Sequence, residues 1–120
     1  MANHVQFVSA NVGALSNALR PIFKIPSGYG GIRVVGCNYT NPGVGTSWVQ
    51  LVDLGTSGTA VSKIIATGGT AVSVAAIPAE ITVTAANAFV DEGHWVGVKE
   101  ANIGAMNSVS IVDIAYLPGK

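Results

Sequence analysis

The sequence predicts an all-β fold: a single-domain antiparallel β-sandwich, jelly-roll-like, with short turns and at most one short helix. Three observations predict it. Segments rich in Val, Ile and Thr alternate with turn signals roughly every eight to twelve residues, and no helical crossover separates them. Leu, Glu, Lys and Arg, the good helix formers, are scarce. The fifteen glycines are spread along the whole chain rather than gathered in a linker. A length of 120 residues suits one core, so residues 1–120 are expected to form one domain.

The elements follow in order. His4 to Ser9 opens as an extended segment, and Met1 to Ser16, polar and poor in charge, reads either as an extended N-terminal arm that clamps a neighbour or as an ordinary first strand. Val12 to Leu19 is the one stretch able to make a turn or two of helix before Pro21. Ile22 to Ile25 is a short strand between Pro21 and Pro26. The cluster Ser27-Gly28-Tyr29-Gly30-Gly31 then turns the chain into Ile32 to Thr40, whose apolar run from Ile32 to Cys37 predicts a strand covered on both faces. Asn41-Pro42-Gly43-Val44-Gly45 is a turn. Ser47 to Leu54 follows as a strand, with Asp53 expected to face solvent near its end, on the same side as Val49 and Leu51.

Further along, Val61 to Ala66 and Ala71 to Ala75 read as strands set off by Gly55-Thr56-Ser57-Gly58 and Thr67-Gly68-Gly69. The pentapeptide Gly-Thr-Ala-Val-Ser occurs at Gly58 to Ser62 and again at Gly69 to Ser73. Two copies are too few for a solenoid, and they read as adjacent strands entered by similar turns. Glu80 to Ala85 alternates, with Ile81, Val83 and Ala85 on one face, as a half-buried strand does. His94 to Glu100 and Ser108 to Leu117 complete the set before Pro118-Gly119.

The apolar fraction of 49% is ordinary, whereas the charged fraction of 10% lies far below the roughly 25% usual for soluble domains. Six basic residues balance six acidic ones. A neutral chain lacks the attraction that dominates binding to phosphate backbones, so nucleic acid is not an expected partner. Nor is a membrane: Thr70 to Val90 is long enough to span, but Pro78, Glu80 and Asn87 interrupt it and it reads as strands. Met1 to Ser16 has neither a basic start nor an apolar run and does not read as a signal peptide. Asn38-Tyr39-Thr40 fits the glycosylation pattern by chance.

The densest group of chemistry-bearing side chains is Asp91-Glu92-Gly93-His94-Trp95. Asp-Glu-Gly reads as the loop of a three-residue hairpin closed by Gly93 at positive φ, which leaves both carboxylates at a solvated tip. His94 and Trp95 point to opposite faces as strand neighbours, so His94 need not converge with both acids. A metal site needs more ligands, and the other histidine, His4, is ninety residues away. Cys37 is the only cysteine, which rules out a disulfide within the chain, and it reads as a buried hydrophobe in its strand. Gly28-Tyr29-Gly30-Gly31 precedes a strand rather than a helix, and no serine sits in a Gly-x-Ser-x-Gly elbow. Trp48, Trp95, Tyr29, Tyr39 and Tyr116 read as core or subunit contacts before a sugar platform. No catalytic, cofactor-binding or metal-binding residue is therefore assigned, no cofactor is expected, and the protein does not read as an enzyme.

The surface carries the functional reading. Obligate interfaces are depleted in charge, so a small β-domain of this composition is expected to join a permanent assembly. The closing third, Ile81 to Val90, Gly93 to Val98 and Ile111 to Lys120, resembles the small structural proteins of tailed bacteriophages. It shares their Ala/Thr/Val/Gly richness and their pattern of a strand, an acidic-Gly turn and a strand with aromatic and valine residues. Within that group the size and the lack of a fibrous repeat are most similar to capsid decoration, or cement, proteins. The resemblance implies a homotrimer on the outer face of a virion, made in the host cytoplasm, with the major capsid protein as partner and a mechanical role in bridging coat subunits. The alternative is a tail or fibre module that binds host glycans.

Overall fold

The computed structural model describes residues 4–11, 19–28, 30–40, 46–67, 71–72, 79–102 and 111–119. Its strands are β1 (Gln6–Asn11), β2 (Leu19–Lys24), β3 (Ile32–Thr40), β4 (Thr46–Asp53), β5 (Lys63–Thr67), β6 (Ala71–Val72), β7 (Ala79–Glu80), β8 (Thr82–Val83), β9 (Phe89–Val90), β10 (Trp95–Asn102) and β11 (Ile111–Pro118), with one 3-10 turn at Ala85–Asn87. Two antiparallel sheets form a sandwich, as predicted. The front sheet runs β1-β11-β3-β7, with β9 also on β3, and the back sheet runs β2-β10-β4-β5-β8, with β6 also on β4.

The pairings are nested. β1 pairs β11, β2 pairs β10, β3 pairs β9 and β4 pairs β5. The chain is thus a long hairpin whose tip lies between β4 and β5, rolled so that successive arms fall in opposite sheets. That winding is what a jelly roll is. It answers the composition: strands with one apolar face must find a second sheet to cover it, and rolling a hairpin supplies that sheet without helices.

The core fills the space between the sheets with Ile32, Val34, Cys37 and Tyr39 from β3, Val49 and Leu51 from β4, Val96 and Val98 from β10, and Val112 and Ile114 from β11. Phe23 and Tyr116 stack across the two sheets at 6.0 Å between ring centroids, at the margin of this core.

Several expectations need correction. The apolar run Ile32 to Cys37 is not covered on both faces, because Arg33 and Val35 are exposed. The register with β11 shifts between Ala115 and Tyr116, which pair Gly36 and Val34, so Val35 is the extra residue of a bulge. A bulge resets the alternation, and the run looks continuous only because an outward valine falls within it. Glu80 to Ala85 is not one strand. Ala79–Glu80 pairs with β3 in the front sheet, Thr82–Val83 pairs with β5 in the back sheet, and Ile81 is buried where the chain crosses between them.

The two Gly-Thr-Ala-Val-Ser copies do not form neighbouring strands either. Gly58 to Ser62 belongs to the turn before β5, and the described residues of the second copy, Ala71–Val72, are strand. β5 and β6 both pair with β4, at Gln50–Asp53 and Thr46–Ser47 respectively, and so follow one another along its edge. Residues 12–18, the helix candidate except Leu19, lie outside the described residues, and Leu19 opens β2. Within the N-terminal segment, Gln6–Asn11 is paired along its whole length with β11.

Candidate functional site

Three loops meet at one end of the sandwich: residues 25–28 and 30–31 after β2, 54–62 after β4, and 91–94 after β9. Asp91-Glu92-Gly93-His94 is a turn, with the His94 N–H donating to the Asp91 carbonyl at 3.2 Å and Gly93 at φ +84°. It is not a hairpin, since β9 belongs to the front sheet and β10 to the back sheet. Two-residue β9 gives little local signal, and strand patterning alone does not tell which sheet a strand joins. The turn is bound to the first loop from both sides. Gly93 donates its N–H to the Ile25 carbonyl at 2.8 Å, and Ile25 donates to the His94 carbonyl at 2.9 Å.

Both carboxylates of the turn are exposed, as expected, but Glu92 has partners. Its Oε1 accepts from the N–H groups of Gly28 at 3.2 Å and Gly30 at 2.9 Å. A carboxylate on two amide donors is a charge-assisted contact, and here it fastens a glycine-rich loop that has few side chains to fasten itself. Lys63 at the start of β5 donates to the Phe89 carbonyl across the sandwich.

Asp53 overturns an expectation. It is 1% exposed rather than solvent-facing. Its alternation partners Val49 and Leu51 lie in the core, and the 54–62 loop folds back past it: Ser62 donates to the Asp53 carbonyl at 2.7 Å and Gly58 to the Leu54 carbonyl at 3.2 Å. A buried carboxylate needs partners that replace water. Oδ1 accepts from the Gly55 N–H at 2.8 Å, and Nδ1 of His94 lies 3.0 Å from Oδ1 and 3.1 Å from Oδ2.

The backbone completes this knot. Leu54 donates to the Trp95 carbonyl at 2.8 Å and Trp95 to the Gly55 carbonyl at 2.9 Å. Gly58, at φ +72°, lies against the indole of Trp95, where an added Cβ would come 3.0 Å from Cδ1. Only glycine meets both conditions without strain.

A carboxylate on Nδ1 fixes the tautomer and orientation of an imidazole, which is half of a nucleophile–base arrangement or of a metal ligand with its support. The other half is not assembled among the described residues. The imidazole's hydrogen bonds there run to Asp53 alone, and no group of three or more His, Cys, Asp or Glu stands close enough to hold a metal. What the pair does is satisfy a buried carboxylate and tie the tip of the rolled hairpin to the start of β10. Sequence reasoning weighed His94 only against its neighbours Asp91 and Glu92, read the stretch as a turn, and missed Asp53, 41 residues away. The available signal was parity: an acid in step with Val49 and Leu51 sits on the buried face and requires a partner.

Of the aromatic residues, Tyr39 is buried, Tyr116 stacks on Phe23 and Trp95 covers Gly58. Tyr29 and the Trp48 side chain lie outside the described residues. Cys37 is buried as expected, and burial, with a smaller contribution from the negative charge of Asp113, pushes its thiol up to about 12.

The most open apolar side chains gather on the outer face of the front sheet. Phe7 is 74% exposed and Val5 45%, and Val35 is 46% exposed beside Gly36. Phe7 pairs with Ala115, which pairs with Gly36, so these residues form one row across β1, β11 and β3. Comparison with known proteins adds no relative, since neither the family models nor the curated proteins match this chain.

Proposed function

We propose that the protein is a capsid decoration protein of a tailed bacteriophage, which binds the outer surface of the shell and stabilises it by bridging coat subunits. The observation that carries this reading is the scarcity of charge over a surface of 6031 Å², shared by six basic and six acidic side chains of which Asp53 is buried. Such a surface suits permanent contact rather than free diffusion. The apolar row at Phe7, Ala115 and Val35 supports it, because an exposed apolar patch marks an interaction face. The resemblance of the closing third to phage structural proteins names the assembly.

In this role the mechanism is mechanical. Several weak contacts made at once to neighbouring coat subunits raise the total affinity far above that of any one, and binding to the closed shell alone stabilises it by mass action. The site at the loop end then serves as the brace that keeps the sandwich rigid. The test is composition of purified particles: the chain is expected in intact virions in amounts comparable to the coat protein. Its absence from them, together with binding to host glycans on an array, would favour the tail-module reading instead.

A further inference from the structure

We propose that β1 is a docking edge for a second copy of this chain, pairing antiparallel with the β1 of that copy so that two front sheets become one. The inference stands on the fold and does not depend on the capsid reading.

β1 ends the front sheet, with β11 on one side and, among the described residues, no strand on the other. Open edges are normally blunted by charge, proline, a bulge or shortness, because they otherwise template pairing with another chain. Among the described residues the remaining edges are blunted. β2, which ends the back sheet, carries Arg20, Pro21 and Lys24, and its register with β10 breaks between Val96 and Gly97. β8 and β9 are two residues each, and β6 and β7 have two described residues each. β1 has none of these devices. Gln6–Asn11 is six residues without charge, proline or glycine, and it pairs with β11 in unbroken register. It also presents the most exposed large apolar side chain among the described residues, Phe7.

The same features select the occupant. A two-fold contact sets a surface against itself, and a charged strand would then meet its own charge near the axis. Gln6–Asn11 has none to meet. Directly opposed residues in an antiparallel pair share a face, so any register that keeps Val8 and Ala10 inward also keeps Phe7 and Ser9 outward, and the cores and outer faces of the two sandwiches run on across the seam. Each Phe7 then packs on the partner's outer face near the axis. Among the described residues no other long edge is open to receive β1, which disfavours a head-to-tail ring. A seam of six residues is about 20 Å long, which places it at the small end of specific interfaces and makes the pairing concentration-dependent. It yields a dimer, in departure from the trimer that the resemblance implies.

The test is sedimentation equilibrium of the full chain from low to high micromolar concentration, with Phe7→Lys/Ser9→Lys as the edge-blocking variant and Phe7→Ser as a second that adds no charge. Both positions are exposed, and circular dichroism and melting check that each variant is folded. The wild type is expected to rise from the mass of one chain to that of two, with amide exchange in residues 6–11 slowing as concentration rises. The double lysine variant is expected to stay a monomer throughout, and Phe7→Ser to need several-fold more protein to pair. A wild type that stays monomeric, or an oligomer of any size that persists in the folded lysine variant, would overturn the proposal. Loss of shell binding in that variant while the wild type alone is monomeric would overturn it too, by giving the edge to the coat protein.

Discussion

Asp53 and His94 are the residues on which the loop end depends, and their coupling is measurable. Removing the imidazole leaves a buried carboxylate with the backbone N–H of Gly55 as its remaining partner, and removing the carboxylate leaves that N–H and the ring without it. Each loss is worth about 1–3 kcal/mol. Asp53→Ala and His94→Ala are each expected to lower the unfolding free energy by that amount, and the double variant by clearly less than their sum, since groups in contact do not add. Strict additivity in denaturant titrations would show that the pair is not coupled. Cys37 gives a second prediction at this scale. Its thiol is held neutral up to about pH 12 in the fold, against 9.0 as the ordinary value. Above about pH 9 the unfolded chain releases this proton and the folded chain keeps it, so the unfolded state gains. Stability is expected to fall by up to about 1.4 kcal/mol per pH unit between those two values, and Cys37→Ala should remove that part of the slope. An identical alkaline slope in both proteins would contradict the assignment.

Loops and strands show where the sequence was legible. β3, β4, β10 and β11 are eight or nine residues long, and their dense Val and Ile content made them visible as strands. The phase of the side chains was harder: the bulge at Val35–Gly36 changes which face a residue occupies without changing composition, and Asp53, in phase with the buried Val49 and Leu51, was read as solvent-facing because it stands near a strand end. Partners were harder still. β1 and β11 lie at opposite ends of the chain, and nothing local in Gln6–Asn11 names Ile111–Tyr116 as its partner. The turn at Asp91 to His94 was legible as a turn, with Gly93 at positive φ, but not as a junction between sheets. Two predictions belong here. Gly58→Ala must hold a left-handed backbone and press a methyl on the Trp95 ring, which is expected to cost about 1–3 kcal/mol, read from thermal or denaturant melts with a shifted tryptophan emission. Glu92→Gln weakens the clamp on Gly28 and Gly30, both at an exposed loop. Faster amide exchange at those two glycines, with melting almost unchanged, is the expected outcome. Unchanged exchange would show that the loop holds itself.

The whole molecule is a rolled hairpin braced at one end and sparing in charge over its surface, and the proposal that it cements a shell follows from that surface more than from any one group. The claim is tested most directly by melting undecorated phage shells with and without the purified protein, at protein concentrations well above that of the coat subunits, with electron microscopy of the same particles. The account predicts a higher shell melting temperature and added density on the outer face, with isolated coat subunits binding only weakly because multivalent spacing is missing. Unchanged melting on bare particles would contradict it.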